Sequence, residues 1–100
     1  MKLTSTEVQL ELRSLTGWTL EEDGEAIVKT WTLADFDSVV DRFNQIAQLS
    51  KSLDHHPEVC SSYSHLKVRL WTNDVSGLSS KDFQLAHAID QLETRDESLQ

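Results

Sequence analysis

Two adjacent histidines, His55 and His56, are the side chains of this sequence best suited to chemistry. They precede Pro57, the only proline in the chain, whose ring favours an extended conformation at the residue before it. Neighbouring side chains in an extended segment point to opposite sides, so the two imidazoles would approach a bound molecule from different directions. Because imidazole titrates near pH ~6.5, one ring can donate a proton while another accepts one. The pair therefore suits general acid–base catalysis on a small heterocycle.

Adjacent histidines also occur in solvated turns and in metal sites. A His-His pair before a proline is compatible with a turn that has no chemical role. A metal site would need further ligands at a characteristic spacing, and Cys60, His65 and His87 do not give the spacing of a zinc finger or ribbon. We therefore predict no metal site. The choice between a turn and a catalytic pair depends on the surrounding sequence.

Further residues surround the pair in a recognisable order: Lys51 before it, Tyr63 six positions after Pro57, then the segment 73–78 and Asp82. Segments 15–18 and 83–89 extend the pattern towards both ends of the chain. Together these residues resemble the pterin-4a-carbinolamine dehydratase family over nearly the whole chain. One position departs from the family pattern, because Asn73 stands where the family usually has histidine.

The resemblance implies an enzyme of tetrahydrobiopterin recycling that dehydrates 4a-hydroxytetrahydropterin to quinonoid dihydropterin without a metal or redox cofactor. By position, His55 would act as the acid/base catalyst, His56 would contact the pterin and assist, and Asn73 would occupy the third catalytic position. Asp54 is a candidate to orient His55. The resemblance also implies substrate-binding roles for Pro57, Thr72 and Asp74.

Asn73 leaves two functional hypotheses open. An asparagine can hydrogen-bond the substrate but cannot exchange a proton, so the rate would fall by roughly 10²–10³, or only one substrate stereoisomer would react. The chain could instead be a non-catalytic dimeric scaffold or protein-binding module that has kept the fold. Asn73 is also simply a good turn former. Because His55 and His56 are both present, we favour retained activity.

Length and composition limit the class of protein. One hundred residues can form one domain with its own core, so we predict a single domain over residues 1–100. The formal net charge of −8 argues against nucleic acid as a partner, because phosphate contacts need a basic surface. The chain has one cysteine, no signal-like apolar run at its start, and no stretch near the ~20 apolar residues that cross a bilayer. We expect a soluble, cytoplasmic protein without a membrane partner.

Hydrophobic periodicity and turn residues predict an α+β fold. The patterns indicate helices over residues 7–15, 33–50 and 80–93, and strands over residues 18–20, 25–33, 58–63 and 65–72. Ser5 or Thr6 would cap the first helix, and Ser79 with Asp82 would form a capping-box-like pair at the third. Residues 94–100 are polar and are expected to fray. This order gives a four-stranded antiparallel sheet with three helices packed on one face.

The second predicted helix carries an apolar stripe with members Phe36, Val39, Val40, Phe43, Ile46, Ala47 and Ser50. We predict that this stripe packs as core against the sheet, and the alternative is a partner-binding surface. A small open sheet leaves edge strands with unpaired backbone groups, which favours pairing with a second copy. The resemblance implies dimers through extended sheets and tetramers through helices. We therefore expect a homodimer or homotetramer.

Overall fold

The computed structural model describes the backbone of residues 1–98 and the side chains of residues 1–93. Its elements are α1 (Ser5–Leu12), β1 (Thr19–Leu20), β2 (Ile27–Thr32), α2 (Phe36–Leu53), β3 (Glu58–Ser62), β4 (His65–Leu70) and α3 (Ser80–Ser98). Residues 73–75 add one short 3-10 turn. The predicted order of helices and strands is confirmed. The backbone of α3 continues to Ser98, beyond the point where we expected fraying, and residues 99–100 lie outside the described residues.

The four strands form one antiparallel sheet in the order β1-β2-β4-β3, as the α+β prediction requires. The two hairpins meet where β2 pairs with β4. In β4 the residues Leu66, Val68 and Leu70 are buried and alternate with more exposed neighbours. This alternation defines an inner face, against which the helices pack, and an outer face that carries more polar side chains.

The inner face and the helices share a hydrophobic core. Its largest fully buried apolar side chains are Ile27, Val39, Ile46, Leu66, Val68, Leu70, Leu78, Phe83, Leu85 and Ile89. Each contributes on the order of 1.5–3 kcal/mol to folding through the removal of apolar surface from water. Because α2 and α3 also contact each other, the core fixes these two helices relative to β4.

The cap of α1 differs from the prediction. Thr4, rather than Ser5 or Thr6, is the N-cap: its hydroxyl accepts a hydrogen bond from the Glu7 N–H at 3.2 Å, and the Glu7 carboxylate accepts one from the Thr4 N–H at 2.9 Å. These hydrogen bonds lower the pKa of Glu7. A cap at Thr6 would have used Gln9 as the reciprocal partner, and a neutral amide gains less from the helix dipole than a carboxylate does.

The apolar stripe of α2 is only partly buried. α2 begins after Asp35, whose carboxylate accepts a hydrogen bond from the Ser38 N–H at 2.8 Å. The fully buried members of the stripe are Val39, Ile46 and Ser50. Three others remain exposed, by 50%, 38% and 45% respectively: Phe36, Val40 and Phe43. The prediction that the whole stripe packs as core was therefore wrong, because the stripe is wider than the surface it packs on. We call these three exposed residues the α2 patch.

A buried lysine connects the inner face to α3. Lys29 is 6% exposed, and its Nζ lies 3.0 Å from Asp90 Oδ1 and 2.8 Å from Glu93 Oε1. The indole N–H groups of Trp18 and Trp31 donate to the same two carboxylates, at 2.9 and 2.6 Å. The buried cation is therefore compensated by two carboxylates, and the network ties α3 to the first hairpin.

Candidate active site

The C-terminus of α2 determines where the two histidines lie. α2 ends at Leu53, and Asp54 adopts the left-handed conformation with φ 52° and ψ 46°. The His55 N–H then donates to the Ser50 carbonyl at 3.0 Å, which closes the helix end. After this reversal His55 is buried, with 9% of its surface exposed, whereas His56 is exposed. The two imidazoles therefore have different environments.

The buried imidazole contacts a buried carboxylate. His55 Nε2 lies 2.6 Å from Asp82 Oδ1, and Asp82 in the first turn of α3 is completely buried. The other oxygen, Asp82 Oδ2, accepts hydrogen bonds from the Thr72 hydroxyl at 2.7 Å and the Ser79 N–H at 3.0 Å. Because Oδ2 has two donors already, Oδ1 is the oxygen available to His55. The residue that contacts this imidazole is thus Asp82 and not Asp54.

The Asp82 carboxylate determines which nitrogen of His55 carries the proton. An ionised carboxylate only accepts hydrogen bonds, so the facing Nε2 must be the protonated nitrogen. In the neutral ring, Nδ1 is then the basic nitrogen with a free lone pair. If Nδ1 takes up a proton, the negative charge of Asp82 stabilises the resulting imidazolium. The pair therefore gives His55 a basic nitrogen, Nδ1, and places the negative charge of Asp82 next to the imidazolium that would form.

The segment after β4 supplies the other side of the site. Thr72 pairs with Gly77, with the Thr72 N–H donating to the Gly77 carbonyl at 2.8 Å, and this closes the loop that contains Asn73. The Thr72 hydroxyl also lies 2.7 Å from the Ser79 hydroxyl. Only half of the predicted capping box is present, because the Ser79 hydroxyl bonds Thr72 while the Ser79 N–H bonds Asp82. The loop is thereby joined to the start of α3.

A polar cleft of about 330 Å³ opens between the end of α2 and the loop after β4. It is lined by Asp54, His55, His56, Trp71, Thr72, Asn73, Asp74 and Lys81. Five of the six residues that the sequence analysis assigned to a site thus lie on one cleft. Pro57 is not among the lining residues, and Tyr63 lies in the β3–β4 turn, 74% exposed.

The side chain of Asn73 is held by a tryptophan. The Trp71 indole Nε1 donates to Asn73 Oδ1 at 3.0 Å. The guanidinium carbon of Arg69 lies 4.5 Å from the centre of a Trp71 ring, in the geometry of a cation–π contact. Arg69 in turn donates to the Glu21 carboxylate at 2.7 Å, which raises the pKa of Arg69. A chain of contacts therefore runs from the outer face of the sheet to the cleft.

Sequence reasoning missed the contributions of Asp82, Trp71 and Lys81 to this cleft. Asp82 was named in the family pattern and in a helix cap but was given no role beside His55, and the cap explains only one of its oxygens and leaves the other without a partner. An unused carboxylate oxygen at the start of a buried helix was the available signal. Trp71 precedes Asn73 by two positions, and an indole N–H near an exposed loop gives no comparable signal.

Two kinds of feature are absent from the described part of the chain. Among the side chains of residues 1–93, no three histidine, cysteine, aspartate or glutamate side chains are placed to hold a metal ion together. Among the described helices, none is both long and apolar enough to cross a bilayer.

The fold and the cleft define the class: a small α+β protein in which a histidine–aspartate pair lies beside a polar cleft. The family model for pterin 4 alpha carbinolamine dehydratase matches residues 1–92. A protein from Sulfurisphaera tokodaii, named "putative pterin-4-alpha-carbinolamine dehydratase", is 39% identical over 93% of this chain and 98% of its own length. A protein of the same name from Nostoc punctiforme is 37% identical over 90% of this chain and 95% of its own. The chain belongs to the pterin-4-alpha-carbinolamine dehydratase family.

One solved structure agrees with this assignment, and a second shares the fold. The crystal structure of a transcriptional coactivator/pterin dehydratase from Brucella melitensis superposes with a TM-score of 0.87 at 31% identity, over 91% of this chain and 97% of that one. A pterin dehydratase-like protein described as a RuBisCO assembly factor of the alpha-carboxysome gives a TM-score of 0.65 at 14% identity, over 77% of this chain and 89% of that one. The second similarity shows the fold alone.

Proposed function

We propose that this protein dehydrates 4a-hydroxytetrahydropterin to quinonoid dihydropterin in the cleft between α2 and the loop after β4. The observation that carries the proposal is the buried His55–Asp82 pair, at 2.6 Å, on a cleft that also includes His56 and Asn73. Membership of the family supports the same activity.

The reaction needs one base and one acid. The N5–H bond breaks, its electron pair forms the C4a=N5 double bond, and the C4a–O bond breaks as the hydroxyl leaves with an added proton as water. His55 Nδ1 accepts the N5 proton, and Asp82 stabilises the imidazolium that forms. His56, the other histidine of the cleft, donates the proton to the leaving hydroxyl. His56 is exposed and regains its proton from solvent, and His55 returns its proton to solvent through the cleft that it lines.

The activity is tested by the rate at which quinonoid dihydropterin forms from freshly generated 4a-hydroxytetrahydropterin. The expected wild-type rate is well above the uncatalysed background, and His55→Ala should reduce it by roughly 10²–10⁴-fold, the usual contribution of one general base. His65→Ala is the matched control, because His65 is an exposed imidazole on β4 outside the cleft. A wild-type rate equal to background, from folded protein, would refute the proposal.

The residue at position 73 is expected to limit the rate. Asn73 can donate or accept a hydrogen bond but cannot transfer a proton. Replacing it with histidine, the usual residue of the family, adds an acid/base group to the same wall of the cleft. We expect Asn73→His to raise kcat by up to about 10²-fold. An unchanged kcat in this variant would mean that His56 already supplies the proton without limiting the rate.

A second candidate function is that of a non-catalytic scaffold. The observation that favours it is the exposed α2 patch of Phe36, Val40 and Phe43, which lies beside a groove of about 220 Å³ that Val59 of β3 also lines. Surfaces of this kind mark protein interaction sites. A folded protein without dehydratase activity would leave this function as the one to pursue.

The free edge of β3 and the α2 patch both support a homo-oligomer. Within the described chain, β3 pairs only with β4, so its other edge is available for a strand from a second copy. We propose pairing at this sheet edge for a dimer and contact through the α2 patch for a tetramer. We also propose a cytoplasmic location, where the exposed free thiol of Cys60 would stay reduced.

A further inference from the structure

The orientation of the Asn73 amide follows from its contact with Trp71. An indole N–H can only donate, so the atom of Asn73 that faces it must be the carbonyl oxygen. The distance of 3.0 Å is that of an ordinary hydrogen bond. With Oδ1 occupied in this way, the amide NH₂ group is the free polar end of the side chain. Within the described part of the chain, this NH₂ group has no hydrogen-bond acceptor.

The Trp71 ring is itself restrained. Its ring lies 4.5 Å from the Arg69 guanidinium carbon, and Arg69 is held by Glu21 at 2.7 Å. A flat guanidinium against an aromatic face limits how far the ring can turn. Because Arg69 packs on the face of the Trp71 ring, it restrains the direction in which the indole N–H points towards Asn73.

We propose that Trp71 is a positioning residue that holds the Asn73 NH₂ group in the cleft as a permanent hydrogen-bond donor to the departing hydroxyl of the substrate. The inference deepens, and rests on, the dehydratase activity proposed above. The departing oxygen is the substrate atom that gains negative charge as the C4a–O bond breaks, so a fixed donor stabilises it most in the transition state. Asn73 does not titrate, so this donor remains in place at every pH at which the protein is folded.

The test combines Trp71→Phe with Asn73→Ala. Trp71→Phe keeps an aromatic ring for Arg69 and removes the N–H that holds Asn73. We expect kcat to fall about three- to tenfold, as for the loss of one neutral hydrogen bond, with KM changed by less than about twofold. The ratio of the variant to the wild-type kcat should be constant with pH. In the Asn73→Ala background, Trp71→Phe should cause no further fall.

Trp31→Phe is the matched control for the loss of an indole N–H. Trp31 donates to Glu93 and is not among the residues of the cleft, so kcat should not change. An unchanged kcat in Trp71→Phe would overturn the proposal. The proposal would also be overturned if Trp71→Phe lowered kcat by the same factor in the wild type and in the Asn73→Ala background, since a merely structural tryptophan would act in both.

A binding experiment separates this proposal from the dehydratase activity. If the wild type has only the background rate, ¹⁵N-labelled protein is titrated with 7,8-dihydrobiopterin and the Asn73 side-chain NH₂ resonances are followed. A shift in the wild type that is reduced in Trp71→Phe would support the positioning role of Trp71 although the reaction had failed. Resonances that do not move, or that move equally in both proteins, would overturn the positioning role as well.

Discussion

Replacing Asp82 by asparagine changes one oxygen of the buried carboxylate into an NH₂ group and leaves its size unchanged. The remaining oxygen should stay with the Thr72 hydroxyl and the Ser79 N–H, because both of these groups donate. The new NH₂ group then faces His55 Nε2 and can only donate. Nε2 must therefore become the acceptor, and the proton of the neutral imidazole moves to Nδ1. The variant thus reverses the tautomer of His55.

The tautomer determines the size of the expected effect. With Nδ1 protonated in the neutral ring, this nitrogen has no lone pair left to accept the N5 proton. In addition, no carboxylate is present to stabilise the imidazolium. We expect kcat to fall by roughly 10²–10⁴-fold, the contribution of one general base. The free energy of unfolding should fall by only about 1–3 kcal/mol, because the hydrogen bonds of Asp82 are reorganised while its volume is kept. Catalysis should therefore be lost in a protein that is still folded.

The assay follows quinonoid dihydropterin formation, and ¹⁵N chemical shifts of the His55 ring report which nitrogen is protonated. Asp90→Asn is the control, since Asp90 is another carboxylate of α3 but bonds Lys29 and Trp18 outside the cleft. It should lower stability without a comparable loss of kcat. If the Asp82→Asn variant keeps kcat within about threefold of the wild type while the His55 ring changes tautomer, His55 is not the base and the proposed mechanism is wrong.

Three further predictions concern stability and association. Lys29→Met leaves the Asp90 and Glu93 carboxylates close together without their cation. Urea unfolding should therefore show a free energy of unfolding lower by about 3 kcal/mol, and a decrease below about 0.5 kcal/mol would contradict the stabilising role of this ion-pair network. The capping hydrogen bonds lower the pKa of Glu7 in the folded protein from its ordinary value of 4.5. Ionised Glu7 therefore stabilises the folded state at pH values above 4.5, and this stabilisation is lost as the pH falls through the lowered pKa of the folded state. Glu7→Gln should therefore lower the thermal midpoint at neutral pH and match the wild type near pH ~2, and an equal difference at both pH values would refute this cause. Phe43→Glu places a charge in the α2 patch and should shift sedimentation towards smaller species, whereas Gln45→Glu, outside the patch on the same helix, should not.

The fold could be predicted largely because local signals agreed with one another. The alternation of β4 and the glycine, asparagine and aspartate turns each fixed an element without reference to distant residues. The α2 stripe shows the limit of this reasoning. Periodicity identifies the apolar side of a helix, but it does not tell how much of that side the sheet can cover, and Phe43 remains 45% exposed.

The site could be predicted only in part, for a related reason. His55, His56 and Asn73 were found as residue types in a familiar order, and they line one cleft. Asp82 is 27 positions from His55, and its contact depends on how the start of α3 docks beside the end of α2. Such a contact is a consequence of tertiary packing, and the unused oxygen of Asp82 was its only signal in the sequence. The same holds for Trp71, whose role depends on the Arg69 side chain across its ring.

The two walls of the cleft share Asp82, which also bonds the Thr72 hydroxyl, but the His55 and Asn73 side chains are held by different contacts. His55 is held from the interior by Asp82 of α3, whereas Asn73 is held through Trp71 and Arg69 on the sheet. Asp82 and Asp90 are eight residues apart on α3, or about 12 Å along a helix that rises ~1.5 Å per residue. The Lys29 network therefore anchors α3 at a different part of the helix from the Asp82–His55 contact. Lys29→Met should then reduce stability while the folded fraction keeps its kcat, and a kcat that fell with stability would mean that the Lys29 network and the Asp82–His55 contact are coupled through α3.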